Sequence, residues 1–311
     1  MSRARTLPAA LAAAALLAGC GVGAGDSVGG VGLQVTRDFG RADLKGSPQE
    51  VQAPGEETAM RALQRAFKVQ TRYGGGFVQS IGGVSGGRQA GRPVDWFFYV
   101  NGIEAPRGAT STKLHRGDVV WWDHHDWGAA QRVPAVVGSF PEPFAHGRKG
   151  ERIPARIECA GGYEDACTAV QQELGRYGVV AGEAALETRS GDQLIRVLVG
   201  PWPQVRRDFA VRAIGKGPQA SGVYAVPSPD GSRLAVLDPR GRTVRTLGPH
   251  TGFIAATAQG DDLPVWVITG TDRQGIEMAA HALTEDALRG KFAIALADQV
   301  PIGLPQVGPA R

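Results

Sequence analysis

Apolar positions divide the chain into a short uncharged run, a segment of strands around one helix, a polar stretch, and a segment where strands alternate with helices. Leu33-Gln-Val-Thr-Arg-Asp-Phe39 alternates and predicts a strand. Met60, Leu63, Ala66 and Phe67 recur at helical spacing, so one helix face should pack on a sheet. Upstream, Pro54-Gly55 is followed by Glu56, Glu57 and Thr58, and acidic residues favour a helix N-terminus. Phe77-Val-Gln-Ser-Ile81, Trp96-Phe-Phe-Tyr-Val100 and Val119-Val-Trp-Trp122 read as further strands. Asn101-Gly102 and Arg116-Gly117-Asp118 supply turns where a positive φ is tolerated. Strands, one helix and more strands predict an α+β, β-grasp-like domain over residues 32–128.

Residues 129–151 are rich in Pro, Gly and charge and predict a linker. Beyond it, Ile153-Pro-Ala-Arg-Ile-Glu158, Leu194-Ile-Arg-Val-Leu-Val-Gly200, Val265-Trp-Val-Ile-Thr269 and Phe292-Ala-Ile-Ala-Leu296 read as buried strands. Helices are expected between Tyr163 and Tyr177, ending at Gly178, over residues 204–214, and from Asp272 to Leu288. Gly222-Val-Tyr-Ala-Val226 reads as a short strand, followed by a hairpin from residues 233–238 to 243–247 across Pro239-Arg-Gly241. The expectation is an α/β domain over residues 152–300, with a largely parallel sheet, a β-hairpin insertion and a tail at 301–311.

The N-terminus changes the picture of where these domains sit. Arg3 and Arg5 precede an uncharged run from Leu7 to Gly19, too short for a spanning helix of about 20 residues and suited to a secretory signal. Leu17-Ala-Gly-Cys20 resembles the lipobox of bacterial lipoproteins, which implies cleavage after residue 19, acylation of Cys20 and anchoring in membrane lipid at the outer face of the cell membrane. Residues 20–31 are then a glycine-rich tether. Loss of Arg3 and Arg5 lowers the formal charge from +4 to +2, and no Lys/Arg cluster is interleaved with aromatics, which argues against a nucleic-acid partner. In an oxidising compartment Cys159 and Cys167 most simply form a disulfide, the alternative being two buried thiols; no His or third Cys lies nearby to make a metal site.

Thr269-Gly-Thr-Asp-Arg-Gln-Gly275 carries a strand into a helix, so Gly270, Thr271 and Asp272 are candidates to hold an anion, or simply to cap that helix. Gly200-Pro-Trp-Pro203 ends another strand, and Trp202 and Arg206 could share a crevice with Thr271 or remain a surface Trp beside a solvated Arg. In Trp121-Trp-Asp-His-His-Asp-Trp127 alternation pairs Asp123 with His125 and His124 with Asp126, which is short of a metal site and reads as a polar aromatic rim at a strand end. No G-x-S-x-G elbow leads from a strand into a helix, and no S-x-x-K or H-E-x-x-H motif occurs. Arg116-Gly117-Asp118 spells an adhesion tripeptide but is placed as a turn.

Three strings taken together carry a resemblance: Gly76-Phe-Val-Gln-Ser-Ile-Gly-Gly83, Asp95-Trp-Phe-Phe-Tyr-Val-Asn-Gly102 and Leu114-His-Arg-Gly-Asp-Val-Val-Trp-Trp122. In this order, around one helix, they resemble the transcobalamin C-terminal-like domain family. That resemblance covers residues 33–127. It implies a small domain that closes over one side of a corrinoid, and makes Trp122, His124 and Trp127 ligand contacts. The expectation is therefore a membrane-tethered, non-catalytic protein that binds a small-molecule ligand, a corrinoid first among them, and delivers it to a transporter subunit. The rival is a structural or adhesion module of the cell envelope. A third reading is a hydrolase assembled from Asp272, His250 and Ser221.

Overall fold

A computed structural model describes residues 30–52, 57–188 and 193–307. The predicted signal segment and Cys20 lie outside the described residues, as do the tether up to Gly29 and Pro54, Gly55 and Glu56 at the expected helix start. No helix among the described residues is long and apolar enough to cross a membrane.

The first half is built on β1 (Val31–Arg37), α1 (Ala59–Ala66), β2 (Phe77–Ile81), β3 (Arg92–Val100) and β4 (Val119–Asp126). β4 lies between β1, its parallel neighbour, and β3, its antiparallel one, so that Val35 and Phe98 both face Trp122 across the ladder. Short strands Ile103–Glu104 and Ala42–Asp43 border this sheet. Thr58 caps α1 through Oγ1, which accepts from the Arg61 N–H at 3.2 Å. Glu57 is buried beside it, paired with Arg65 at 2.9 Å. Met60 and Leu63 of α1 pack with Leu33, Val35, Val120 and Trp122 under one face of the sheet.

The other face is buried too. Tyr99 and Trp121 join Phe39, Trp202, Tyr224 and Phe292 in a core that both halves share. Successive strand residues point to opposite faces, so β4 is covered twice and every residue from Val120 to Asp126 is buried. Residues 129–151, expected as a linker, form part of these cores: Val133 and Val136 enter the shared one, Val137, Phe140 and Phe144 the core of the second half. The prolines and glycines there interrupt regular structure without exposing the apolar residues between them.

The second half contains β5 (Ala155–Cys159), α2 (Glu164–Gly175), β6 (Ala181–Ala185), β7 (Ile195–Val199), β8 (Ala225–Pro227), β9 (Leu234–Leu237), β10 (Thr243–Leu247), β11 (Gly252–Thr257), β12 (Val265–Gly270), α3 (Arg273–His281), α4 (Glu285–Leu288), β13 (Ala293–Ala297) and β14 (Val300–Leu304). The large sheet runs β6-β5-β7-β12-β11-β13-β14. Pairing is parallel from β6 to β12 and antiparallel from β12 to β14, so the sheet is mixed where a largely parallel one was expected. β11 and β14 make the difference. β11 is buried along its whole length and has no alternation to announce it, and most of β14 lies in the expected tail. The predicted hairpin forms as β9 and β10, joined by β8. The expected helix over 272–288 is two, because Thr284 starts α4 afresh by accepting from the Ala287 N–H at 3.3 Å. Segment 204–214 likewise breaks into the short helices Trp202–Val205 and Phe209–Arg212. Helices α2 and α3 cover one face of the large sheet. Cys159 at the end of β5 and Cys167 in the first turn of α2 form a disulfide with their Cα atoms 6.2 Å apart.

Candidate functional site

The turn after β12 is occupied by its own structure. Asp272 caps α3, accepting from the Gly275 N–H at 2.8 Å, and also accepts from the His250 N–H at 2.8 Å. Thr271 Oγ1 donates to the Gly248 carbonyl at 2.8 Å and accepts from the Thr251 N–H at 3.0 Å. A Cβ on Gly275 would collide with the Thr251 backbone, so the glycine serves the close approach of α3 to β11. Trp202, Gly270 and Thr271 do meet, in a crevice of only ≈ 10 Å³, far below the roughly 300–1,000 Å³ of ligand pockets. Trp202 is buried in the shared core, and Arg206 reaches the Pro229 carbonyl at 3.1 Å. Asp272, Thr271 and Trp202 are therefore engaged by the fold itself.

His250 Nδ1 and Asp272 Oδ2 lie 2.9 Å apart, as a hydrolase reading requires. Ser221 does not join them. Its carbonyl accepts from Thr257 at the far end of β11, while His250 precedes the start of that strand.

Along β4 the double burial decides each role. Trp122 is 2% exposed and stacks on Phe98 with ring centroids 4.6 Å apart, while His124 lies 3.1 Å from the Ser85 carbonyl and packs on Trp96. Burial, its leading influence, lowers the His124 pKa. Trp127 is half-buried and donates to Asp95 at 3.0 Å. On the opposite face, Asp123 and His125 are within 2.8 Å, and His125 lies between Phe39 and Phe97 at 4.6 and 4.5 Å. Alternation foretold the Asp123 and His125 pairing but not that it would be sealed between two halves of the protein. Among the described residues no three His, Cys, Asp or Glu side chains gather to hold a metal ion.

A site of ligand size lies instead at the β3 exit. Asn101 and Gly102 turn with φ of 54° and 73°, and the buried Asn101 side chain ties three segments. Its Nδ2 donates to Asp118 Oδ1 at 2.8 Å and to the Gly147 carbonyl at 3.0 Å, and its Oδ1 accepts from the Val119 N–H at 2.8 Å. Asp118 Oδ2 accepts from the His115 N–H at 2.7 Å. The Asn-Gly and Gly-Asp turns are thus one structure, and Asp118 of the adhesion tripeptide is buried. Around this floor opens a groove of ≈ 660 Å³, walled by Ile103, Glu104, Arg107 and His115 from the first half and by Arg148 and Asp261 from the second. Burial pushes the Glu104 carboxyl above its usual range, against the pull of Arg132 at 2.7 Å. Asn101→Ala is expected to lower stability by about 2–4 kcal/mol, since three buried polar groups lose partners and alanine must adopt a left-handed backbone; the urea midpoint measures it.

Residues 56–126 match the family described as "Domain of unknown function (DUF4430)". No curated protein matches the chain. A solved structure of a "putative metal binding protein" from Ruminococcus gnavus ATCC 29149 is similar at 11% identity with a TM-score of 0.26, over 32% of this chain and 97% of its own. The chain therefore carries, between Glu56 and Asp126, a DUF4430 match that takes in α1, β2, β3 and β4 and the whole Asn101 to Asp118 wall of the groove.

Proposed function

We propose that the protein is a non-catalytic binding protein, exported and held at the outer face of the membrane by an acylated Cys20, whose β-grasp-like first half captures a small ligand together with the second half. The observation that carries this reading is the groove of ≈ 660 Å³ at the β3 exit, to which both halves contribute walls. Two walls from different halves let a bound molecule bridge them, and polar side chains over a fixed floor set its orientation. Its first wall lies in the segment that resembles the transcobalamin C-terminal-like domain, so a corrinoid is the first ligand to test and a transporter subunit the expected recipient. Equilibrium dialysis of the full chain against cobalamin and cobinamide should give saturable binding that Arg107→Ala with Arg148→Ala weakens. Flat isotherms up to millimolar ligand would overturn the corrinoid reading. Crosslinking in native membranes separates capture from scaffolding: a transporter subunit supports the first, wall components the second.

A further inference from the structure

Apolar side chains on loop tips are costly to leave in water, and one hairpin of the first half carries two. Strand Val69–Arg72 turns through Tyr73-Gly-Gly-Gly76 into β2. At this tip Tyr73 is 86% exposed and Phe77 37%, with their rings 6.1 Å apart, edge to face. Gly74, Gly75 and Gly76 have open space where a side chain would be, so the tip projects. Beside it runs the 103–118 connection between β3 and β4, reached where a Cβ on Gly108 would lie 3.3 Å from the Gly76 carbonyl. Residues 68–77 and 105–117 contain Lys68, Arg72, Arg107, Lys113 and Arg116 and no Asp or Glu. All five basic residues are exposed.

The described chain also begins at this end. Gly30 accepts from the Gly117 N–H at 3.4 Å, and β1 starts beside the start of β4. Nine residues lie between Cys20 and Gly30, ten steps along the chain that reach at most about 35 Å even if fully extended. From these three observations we propose that this end of the first half is a membrane-docking surface, with Tyr73 and Phe77 seated among the headgroups of an anionic bilayer and Arg72 and Arg116 on its lipid phosphates. Tyrosine and phenylalanine suit that depth because the ring is apolar while the surroundings are wet, and basic side chains add attraction that salt screens. Acylation of Cys20 limits the distance over which the surface must search, and the docking contacts fix which end faces the lipid. The proposal rests on the acylated Cys20 of the proposed function but not on its ligand, and holds whether or not the groove is filled.

The test uses the full chain on vesicles of phosphatidylglycerol whose acyl chains carry bromine, a short-range quencher of tryptophan. Tyr73→Trp adds one reporter at the tip, and Val300→Trp adds one at an exposed position of the β13–β14 hairpin, at the end of the large sheet away from Asp261. Subtracting the unsubstituted protein isolates each reporter. Quenching at position 73 should exceed that at position 300 several-fold, and should fall on phosphatidylcholine vesicles, at high salt, or when Arg72→Gln and Arg116→Gln are added. Equal quenching at the two positions, or quenching at 73 indifferent to lipid charge, overturns the proposal. Ligand dialysis is unaffected by either outcome, and the mass of the Cys20 peptide reports the anchor separately.

Discussion

Asp123→Ala is expected to destabilise the protein by about 3–5 kcal/mol, the cost of leaving several buried hydrogen-bond donors without their acceptor. Asp123 is fully buried and accepts from Thr36 Oγ1, from the Phe39 and Gly40 N–H groups at 3.0 and 2.9 Å, and from His125 Nδ1 at 2.8 Å. Burial alone would push its carboxyl up, but the bonds from His125, Thr36 and Gly40 hold it below the usual range. Those bonds fix the turn that sends Phe39 into the shared core, edge-on to Tyr224 and Phe292 with centroids 5.0 and 5.2 Å away. Gly40 sits so close to the Gly290 carbonyl that no Cβ fits. Losing the carboxylate therefore frees the turn, and with it part of the contact between halves. Asp123→Asn should fare little better, because its NH2 would face donors. Urea unfolding with near-ultraviolet circular dichroism measures the loss, and a cost below about 1 kcal/mol would contradict the argument from stranded donors.

The same carboxyl sets the sign of the acid response. A depressed folded pKa adds stability above the unfolded value, near pH 4, that is lost as pH falls through the folded value. Glu158 shares this direction, held down by Arg196 and Arg156 against burial. Glu104 and Glu142 oppose it, since burial raises both, and each adds stability as it takes up a proton in mild acid. His124 works the other way, because burial lowers its pKa and the unfolded chain therefore takes up that proton first as pH falls below about 6.5. Stability should thus change little between neutrality and about pH 5, where these titrations offset one another, and fall below about pH 4, as thermal midpoints across that range would show.

Much of the local structure was legible because it rests on local rules. Phe77 to Ile81 and Trp96 to Val100 are strands, Asn101-Gly102 turns with positive φ, and the hairpin across Pro239-Arg-Gly241 forms where its turn residues stand. Contacts made at long range were not legible. The polar residues of Trp121-Trp-Asp-His-His-Asp-Trp127 read as a rim, since nothing in a single strand's periodicity reveals that a second half will cover its other face. Val137, Phe140 and Phe144 read as linker for the same reason. At the groove, the two turns were visible separately, but the bond from Asn101 to Asp118 that makes them a floor depends on β3 and β4 pairing side by side.

Glu158→Ala should match Asp123→Ala in size, and its reason lies in strand register. Parallel pairing sets Arg156 opposite Arg196 on β5 and β7, with Glu158 two residues on and on the same face. Arg196 grips Glu158 with Nε at 2.7 Å and Nη2 at 2.6 Å, Arg156 adds Nη2 at 2.6 Å, and Arg196 Nη1 reaches Asp208 at 2.6 Å. Asp208 in turn caps the short helix that follows, accepting from Ala210 and Val211. Without the carboxylate, two largely buried guanidinium groups lie side by side with only part of their charge balanced, a loss of about 3–5 kcal/mol. An apolar replacement of the whole cluster behaves differently, because the cost comes from the stranded charges and not from the lost attraction. Glu158→Leu combined with Arg156→Met and Arg196→Met should recover most of the loss, while Asp208 keeps its bonds to the helix. Equal urea midpoints for the single and triple variants would mean that the ion pairs hold β5 to β7 directly, and that packing cannot stand in for them.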